Sequence, residues 1–371
     1  VTRIESSEPV WLTAPKNRTA EAGLREAAAA AYAVNGDAGR AIALARELDG
    51  TVPRPGSGRP GSGAAGTLRL FETLASLAAA DLTAARVAEA HLDALAILDQ
   101  AGVEPAGLAA GGGTAPSWGV FAAEGAGSRL DATPVAEAGE TDGEPWRIDG
   151  TKPWCSLAGS LSHALVTAHT SPSTRRLFLV DLADPGITVR TDAWVGRGLP
   201  AVPSGPVEFR GVPARPVGDD DWYLRRPGFA WGGIGVAACW WGGAVGLARR
   251  VWESVLEREP DQIALAHLGA LDIALTAAGV SLAAGAAAID AGDAVGDQGA
   301  LLAARVRGQV AHVVDEVITR TGHALGPAPL AFDARHAARV ADLQLYVRQH
   351  HAERDDAALG RRLRGAGVSP W

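Results

Sequence analysis

The sequence predicts an α+β protein in three parts: an N-terminal α-helical domain over residues 1–117, a small central antiparallel β-barrel or sandwich over 118–218, and a C-terminal α-helical bundle over 219–371. Two observations carry this. Long runs of Ala, Leu, Glu and Arg, all good helix formers, fill both ends of the chain. Between them the texture changes to short β-type runs separated by turn residues, at 120–123, 146–148, 164–168, 176–180, 187–190 and 207–209, which suits a compact all-β unit.

At 371 residues, 47% hydrophobic and 20% charged, the chain can bury several layers of core and does not have the composition of a disordered one. A net charge of −8 with no basic stripe argues against a nucleic-acid partner. Two cysteines, Cys155 and Cys239, cannot build a disulfide framework, and no basic-plus-apolar leader opens the sequence. These set the expectation of a cytoplasmic protein.

In the N-terminal part, residues 20–48 and 68–100 read as helices with apolar residues at helical spacing. The stretch 50–66, with Pro53, Pro55, Pro60 and many glycines, separates them as a loop, and the run 109–116, with Gly111, Gly112 and Gly113, closes the part. No chemistry is evident in these helices, which read as scaffold.

The most informative stretch is 146–168. A short strand, 146–148, is followed by an Asp149-Gly150 tight turn, a loop, and a second strand over 163–169. Trp154 and Ser156 lie between the strands, two residues apart. In an extended segment they point to one side, a flat apolar plate beside a hydroxyl, as a planar heteroaromatic ligand requires. A buried Trp in a hairpin with Ser satisfying a turn is the plain alternative. Upstream, Phe121-Ala122-Ala123-Glu124-Gly125-Ala126-Gly127-Ser128 lets a backbone approach a ligand, and Ser128 suits either a phosphate or a turn.

The C-terminal part opens with residues 227–248, which carry no charge and pass a crude transmembrane filter, with Arg225-Arg226 before and Arg249-Arg250 after. Seven glycines and symmetric basic flanks, with no second span of this kind following, favour a buried helix pressed against its neighbours in a bundle. Gly233-Ile234-Gly235-Val236-Ala237-Ala238 matches a loose dinucleotide fingerprint but has no strand before it, so the match is read as chance. Residues 262–289 and 301–321 carry apolar faces, and 332–359 has many Arg, Asp and His on its polar side.

Gly150-Thr151-Lys152-Pro153-Trp154-Cys155-Ser156, with the small-residue run and the strand after it, resembles the flavin-facing segment of the acyl-CoA dehydrogenase family. The order helices, small β domain, helices is also that family's arrangement, so the resemblance spans nearly the whole chain. It implies FAD as cofactor, with Trp154 beside the isoalloxazine ring, Ser156 at its N5 region and Cys155 between them. The family's Thr-Glu-Pro-x-Ala-Gly-Ser pattern is matched by Glu124, Ala126, Gly127 and Ser128, which implies that Ser128 holds pyrophosphate. Ala123 stands in place of the Thr and the Pro is missing, which leaves backbone contacts from Ala122 and Ala123. Arg258 stands where the family often places an Arg on a partner subunit's pyrophosphate, without the accompanying Phe-Gly. The turn from Thr321 to Pro327, with Gly322 and Gly326, looks like the segment that meets the adenine half of FAD across a subunit interface. An exposed Arg and a helix C-cap remain the alternatives there. The resemblance further implies a homodimer or homotetramer, with no nucleic-acid or membrane partner.

The implied activity is α,β-dehydrogenation of an acyl thioester, in which a base takes the α-proton while the β-hydride goes to flavin N5. The family's base is a Glu in a Tyr-Glu-Gly-Thr segment, whereas this chain reads Tyr346-Val347-Arg348-Gln349-His350-His351-Ala352-Glu353. His350 and Glu353, about one helical turn apart on roughly the same face, are the candidate bases. A position used by other members falls near Arg225-Arg226 and supplies no carboxylate. Three readings stand: a dehydrogenase acting on an unusual thioester, a flavin-dependent monooxygenase of the same fold, or an inactive flavin-binding or structural homologue. No metal site is expected, since His350, His351 and Glu353 have no second motif to complete one.

Overall fold

Four helices open the chain in the computed structural model: α1 (Arg18–Val34), α2 (Ala38–Leu48), α3 (Gly66–Ala80) and α4 (Leu82–Gln100). The structure describes residues 7–13, 18–57, 66–104, 115–135, 146–367, 369 and 371, so the Gly111–Gly113 run and part of the Pro/Gly-rich 50–66 stretch lie outside the described residues. Each predicted N-terminal helix is in fact two. Asn35 and Gly36 take positive φ, and the Asp37 side chain then accepts from the Arg40 N–H at 2.8 Å to start α2. Asp81 repeats the device, accepting from Ala84 N–H at 2.8 Å, and its second oxygen takes the Gly36 N–H at 2.8 Å, tying the two corners together.

The central sheet contains β1 (Trp118–Phe121), β2 (Leu130–Pro134), β3 (Trp146–Lys152), β4 (His163–His169), β5 (Arg175–Asp181), β6 (Ile187–Val189) and β7 (Val207–Val217). Most pairings are antiparallel, but β1 and β2 both pair parallel to β4. The sequence shows β2 least clearly, since of its five residues only Leu130 and Ala132 are buried. Asp149-Gly150 does not turn the chain. β3 runs straight through it with a bulge against β7, because Gly150, at φ +124°, lets the Arg129 carbonyl come where a Cβ would stand.

The second helical part holds α5 (Trp222–Arg225), α6 (Pro227–Glu257), α7 (Gln262–Ala291), α8 (Gly296–Leu325), α9 (Ala328–Phe332), α10 (Ala334–Tyr346) and α11 (Glu353–Ala366). The uncharged 227–248 stretch is the buried helix its glycines suggest. A Cβ on Gly242 would sit 2.1 Å from the Ala75 carbonyl oxygen and one on Gly246 2.8 Å from that of Ala79, so α6 lies backbone-close on α3. The Gly233–Ala238 fingerprint lies inside α6, with no strand leading into it. Among the described residues, the helix long and apolar enough to cross a membrane is instead α7, with mean hydropathy 1.7 over a window only 22% buried. It packs on α6 and α8 and leaves Ile263, Ile273 and Val280 open.

Both helical parts share one core, in which Leu70, Phe71 and Leu74 of α3 meet Ile234 and Trp240 of α6, Val306 of α8 and Tyr346 of α10. The sheet has its own core around Phe121, Ile148, Val166, Phe178 and Phe209. A third cluster joins the two, with Ile97 and Leu98 of α4 against Trp118, Leu165 and Leu177. α4 is thus the helix common to both layers, and the loop after β3 lies where they meet.

Candidate functional site

The loop after β3 does not run extended. Trp154 and Leu157 both take left-handed backbone, at φ +59° and +58°, so Trp154 and Ser156 point different ways. The Trp154 ring stands out at 58% exposure, while Ser156 turns inward and Cys155 and Leu157 are buried. The Cys155 N–H donates to the Gly205 carbonyl at 3.0 Å and that of Leu157 to the Pro203 carbonyl at 2.8 Å. That second segment is itself tied to α10, because the Leu199 N–H donates to Asp342 Oδ1 at 2.5 Å and the Val202 N–H to the Leu199 carbonyl at 3.0 Å. Leu157 shares the helical core with Leu343 and Val347. The loop therefore carries an open indole on a rigid base.

Ser156 reaches a buried network of charged side chains. Arg86 Nη2 donates to Ser156 Oγ at 3.0 Å, and Arg86 Nη1 lies 2.9 Å from Glu89 Oε2. The Tyr346 hydroxyl donates to the same Glu89 oxygen at 3.2 Å. One helical turn along α4, Asp93 lies 3.7 Å from Arg226, which also donates to Gln100 at 2.8 Å. Arg307 of α8 stacks on Trp240, 4.7 Å from the ring centroid, and donates to the Gly233 carbonyl at 2.7 Å. Burial pushes the Glu89 carboxyl up against the pull of Arg86, and Asp93 likewise against that of Arg226. Burial alone would lower the Arg86 guanidinium, but Glu89 and Tyr346 hold it firmly charged. Tyr346 is raised by burial, as is the Cys239 thiol beside it. Glu89 and Asp93 also line a small cavity, about 30 Å³, whose other walls are Phe71, Leu74, Leu92 and Trp231. The indole N–H of Trp240, fully buried, finds no acceptor among the described residues.

The Gly-rich segment after β1 does meet the Trp loop, since a Cβ on Gly125 would touch Pro153 at 3.0 Å. Ala122 is partly buried, Ala123 is exposed, and Ser128 closes a turn with its N–H on the Gly125 carbonyl at 3.2 Å. Glu124 sits between two cations, Lys152 Nζ at 2.7 Å and Arg175 at 3.1 Å, with the His169 ring nitrogen at 3.5 Å. Burial alone would raise its carboxyl, but Lys152 and Arg175 hold it below the usual range.

The candidate bases are not where helical spacing placed them. α10 ends at Tyr346, a short 3₁₀ turn follows over Val347–Gln349, and Ala352 takes φ +47° before α11 begins at Glu353. His350 and Glu353 therefore share no helix face. His350 is buried against Gly308, its Nε2 3.9 Å from Asp355 and its ring 6.2 Å from His312. Burial pulls its imidazole down despite Asp355. Glu353 is exposed at the start of α11, and among the described residues neither side chain bonds to the Trp154–Ser156 loop. Val347, directly after Tyr346, is fully buried.

Thr321 to Leu325 form the last turns of α8 and not a break between helices, and this helix end lies beside Arg258. Arg258, Ser254, Glu259, His267, His323 and Ala324 line a separate cavity of about 330 Å³, and Gly326 caps α8 at φ +68°. With a rise of about 1.5 Å per residue, Arg258 lies roughly 27 Å along α6 from Trp240.

A mostly antiparallel β domain set between helical layers, with an aromatic loop turned toward α4 and α10, is the acyl-CoA dehydrogenase fold. Residues 121–212 match the family model for the acyl-CoA dehydrogenase middle domain. That match gives the chain an acyl-CoA dehydrogenase-type middle domain, and the structural likenesses below extend the fold over nearly the whole chain. TdsC from Paenibacillus sp. A11-2, a dibenzothiophene monooxygenase solved with FMN and indole, superimposes with a TM-score of 0.75 at 17% identity, over 95% of this chain and 98% of that one. KijD3, solved with FMN and a dTDP-3-amino-4-keto sugar, gives 0.74 at 20% identity, over 96% of each chain. Butyryl-CoA dehydrogenase from Megasphaera elsdenii gives 0.69 at 16% identity, over 92% of this chain and 97% of that one. No curated protein matches the sequence significantly.

Proposed function

We propose that this protein is a flavin-dependent monooxygenase, in which Trp154 would stack on the flavin ring, Ser156 would meet its N5 edge and an apolar substrate would enter beside Glu89. One observation carries the choice. The turn after Tyr346 carries the buried Val347 in the place of the family's Glu, and among the described residues neither His350 nor Glu353 bonds to the Trp154–Ser156 loop. The residues suit a flavin: an open indole for stacking, an inward-turned hydroxyl two residues on, and a Trp240 N–H deeper in the same network that has no partner among the described residues. When bound and reduced, the flavin supplies two electrons; one atom of dioxygen enters the substrate and the other leaves as water. Arg86, fixed 3.0 Å from Ser156, holds a positive charge where negative charge develops on oxygen. Leu157 and the α10 contacts keep bulk water from the inner side of the loop.

FMN needs only this site. The adenylate of FAD, the form the sequence predicts, would need the Arg258 cavity of a second copy, since one chain holds the two places far apart. Dehydrogenation remains the second reading, favoured by the raised Glu89 carboxyl, which has the character of a base.

The test is anaerobic titration with reduced and oxidised FMN, then admission of oxygen with indole as an apolar probe. Oxygen-dependent product with reduced FMN supports the monooxygenase. Bleaching of the oxidised flavin by butyryl-CoA without oxygen would refute it in favour of dehydrogenation, and a protein that takes up neither flavin form would refute both.

A further inference from the structure

The contacts around Ser156 admit one arrangement of hydrogens in which all of them are made. Arg86 Nη2 lies 3.0 Å from Ser156 Oγ, and a guanidinium can only donate. Ser204 Oγ lies 3.1 Å from the Val202 carbonyl, which can only accept, so the single Ser204 proton goes there. The remaining contact, Ser156 Oγ to Ser204 Oγ at 2.8 Å, must then be donated by Ser156. Its proton is directed into the protein. What Ser156 leaves for a ligand is a lone pair, not a donor.

We propose that Arg86 and Ser204 set Ser156 as a hydrogen-bond acceptor toward the flavin, so that the protein selects reduced over oxidised flavin. This rests on the reading that Ser156 meets the N5 edge. In the oxidised ring N5 carries a lone pair and accepts; two-electron reduction places a proton there and makes it a donor. An acceptor facing an acceptor leaves both unpaired at a dehydrated contact, whereas an acceptor facing N–H pairs them. Ser204 is the positioning residue of this device, because it takes the Ser156 proton while Arg86 occupies the other lone pair. The charge on Arg86 favours electron-rich ligands whatever the hydroxyl does, so only the Ser204 contact separates orientation from charge.

Ser204→Ala removes the acceptor that holds the Ser156 proton and leaves Arg86 in place; Ser204→Thr keeps a hydroxyl and serves as the conservative control. The dissociation constants of oxidised and reduced FMN are measured anaerobically for the three proteins, together with the midpoint potential of bound FMN, after melting curves show each is folded. The wild type is expected to bind reduced FMN roughly ten-fold tighter or more, the scale of one unpaired buried contact. That places the potential of bound FMN about 30 mV or more above free FMN. Ser204→Ala should bring oxidised FMN closer in affinity, shrinking the preference roughly ten-fold and lowering the potential by about 30 mV, while Ser204→Thr keeps the wild-type ratio. An unchanged ratio in Ser204→Ala, or a wild type that favours oxidised FMN, overturns the inference and leaves flavin binding standing. A wild type that binds neither form overturns the functional reading and this inference with it.

Discussion

Replacing Asp342 by Asn should stabilise the protein near neutral pH without loosening the Trp154 loop. Asp342 is buried on α10, and its Oδ1 takes the Leu199 N–H at 2.5 Å. Burial, aided by Asp81, pushes its carboxyl up to about 6, against the pull of that hydrogen bond and of Arg339. The unfolded carboxyl titrates near 3.8. Between those values the folded chain binds more protons than the unfolded one, so wild-type stability falls as pH rises through the window. At about 1.4 kcal/mol per unit, the charged form costs roughly 3 kcal/mol above pH 6. Asn keeps a carbonyl oxygen for Leu199 and carries no charge. Thermal melts from pH 4 to 7.5 should therefore show Asp342→Asn close to wild type at the acid end and several degrees more stable at the neutral end. Asp342→Ala, which has no acceptor, should weaken FMN binding, because the 199–205 segment that supports Cys155 and Leu157 loses its anchor. An Asn variant equally destabilised at both ends of the range would refute the reasoning.

Three further outcomes are expected. His91, buried with Nδ1 taking the Trp118 N–H at 3.3 Å, is pulled down to about 4 chiefly by burial. The unfolded chain then binds more protons between about 4 and 6.5, so stability falls as pH drops through that window, by roughly 3 kcal/mol, and His91→Asn should remove this slope in pH-dependent denaturation. Glu89→Gln leaves Arg86 buried without its counter-charge and should lower unfolding free energy by about 3–5 kcal/mol in denaturant titrations, while Arg86→Met with Glu89→Leu recovers most of it. Ile273→Asp, on the open apolar side of α7, should convert a homo-oligomer to a lighter species in light scattering; a monomeric wild type would refute an interface there.

The fold was legible because its signals are local. Helix formers, the charge-free α6 and the alternating runs of the sheet each announce themselves within a few residues. The geometry of that loop was not legible, because two non-glycine residues there adopt positive φ, a conformation held by Pro203, Gly205 and Asp342 from far along the chain. The shared face expected for His350 and Glu353 failed for a similar reason: helical spacing was carried from the end of α10 across Ala352, where the backbone breaks the helix. Arg86, Glu89 and Asp93 were passed over as scaffold, though a signal existed. They recur three and four residues apart on a helix otherwise filled with Ala, Leu and Val, which places charges on a stripe next to the core. Their partners, Ser156 and Tyr346, lie 70 residues away from Arg86 and 257 from Glu89, and no local pattern predicts such meetings.

The glycine contacts between α3 and α6 have a consequence for how a guest is admitted. Where Gly242 and Gly246 rest on the Ala75 and Ala79 carbonyls, the two helices have no slack to yield, and the cavity beside Glu89 holds room for little more than a water. Its far wall, Pro55 and Trp231 near the start of α6, is built from side chains rather than seated backbone. A molecule the size of indole would therefore have to displace the Trp231 ring, which is itself pinned by its N–H on the Ala294 carbonyl at 2.7 Å.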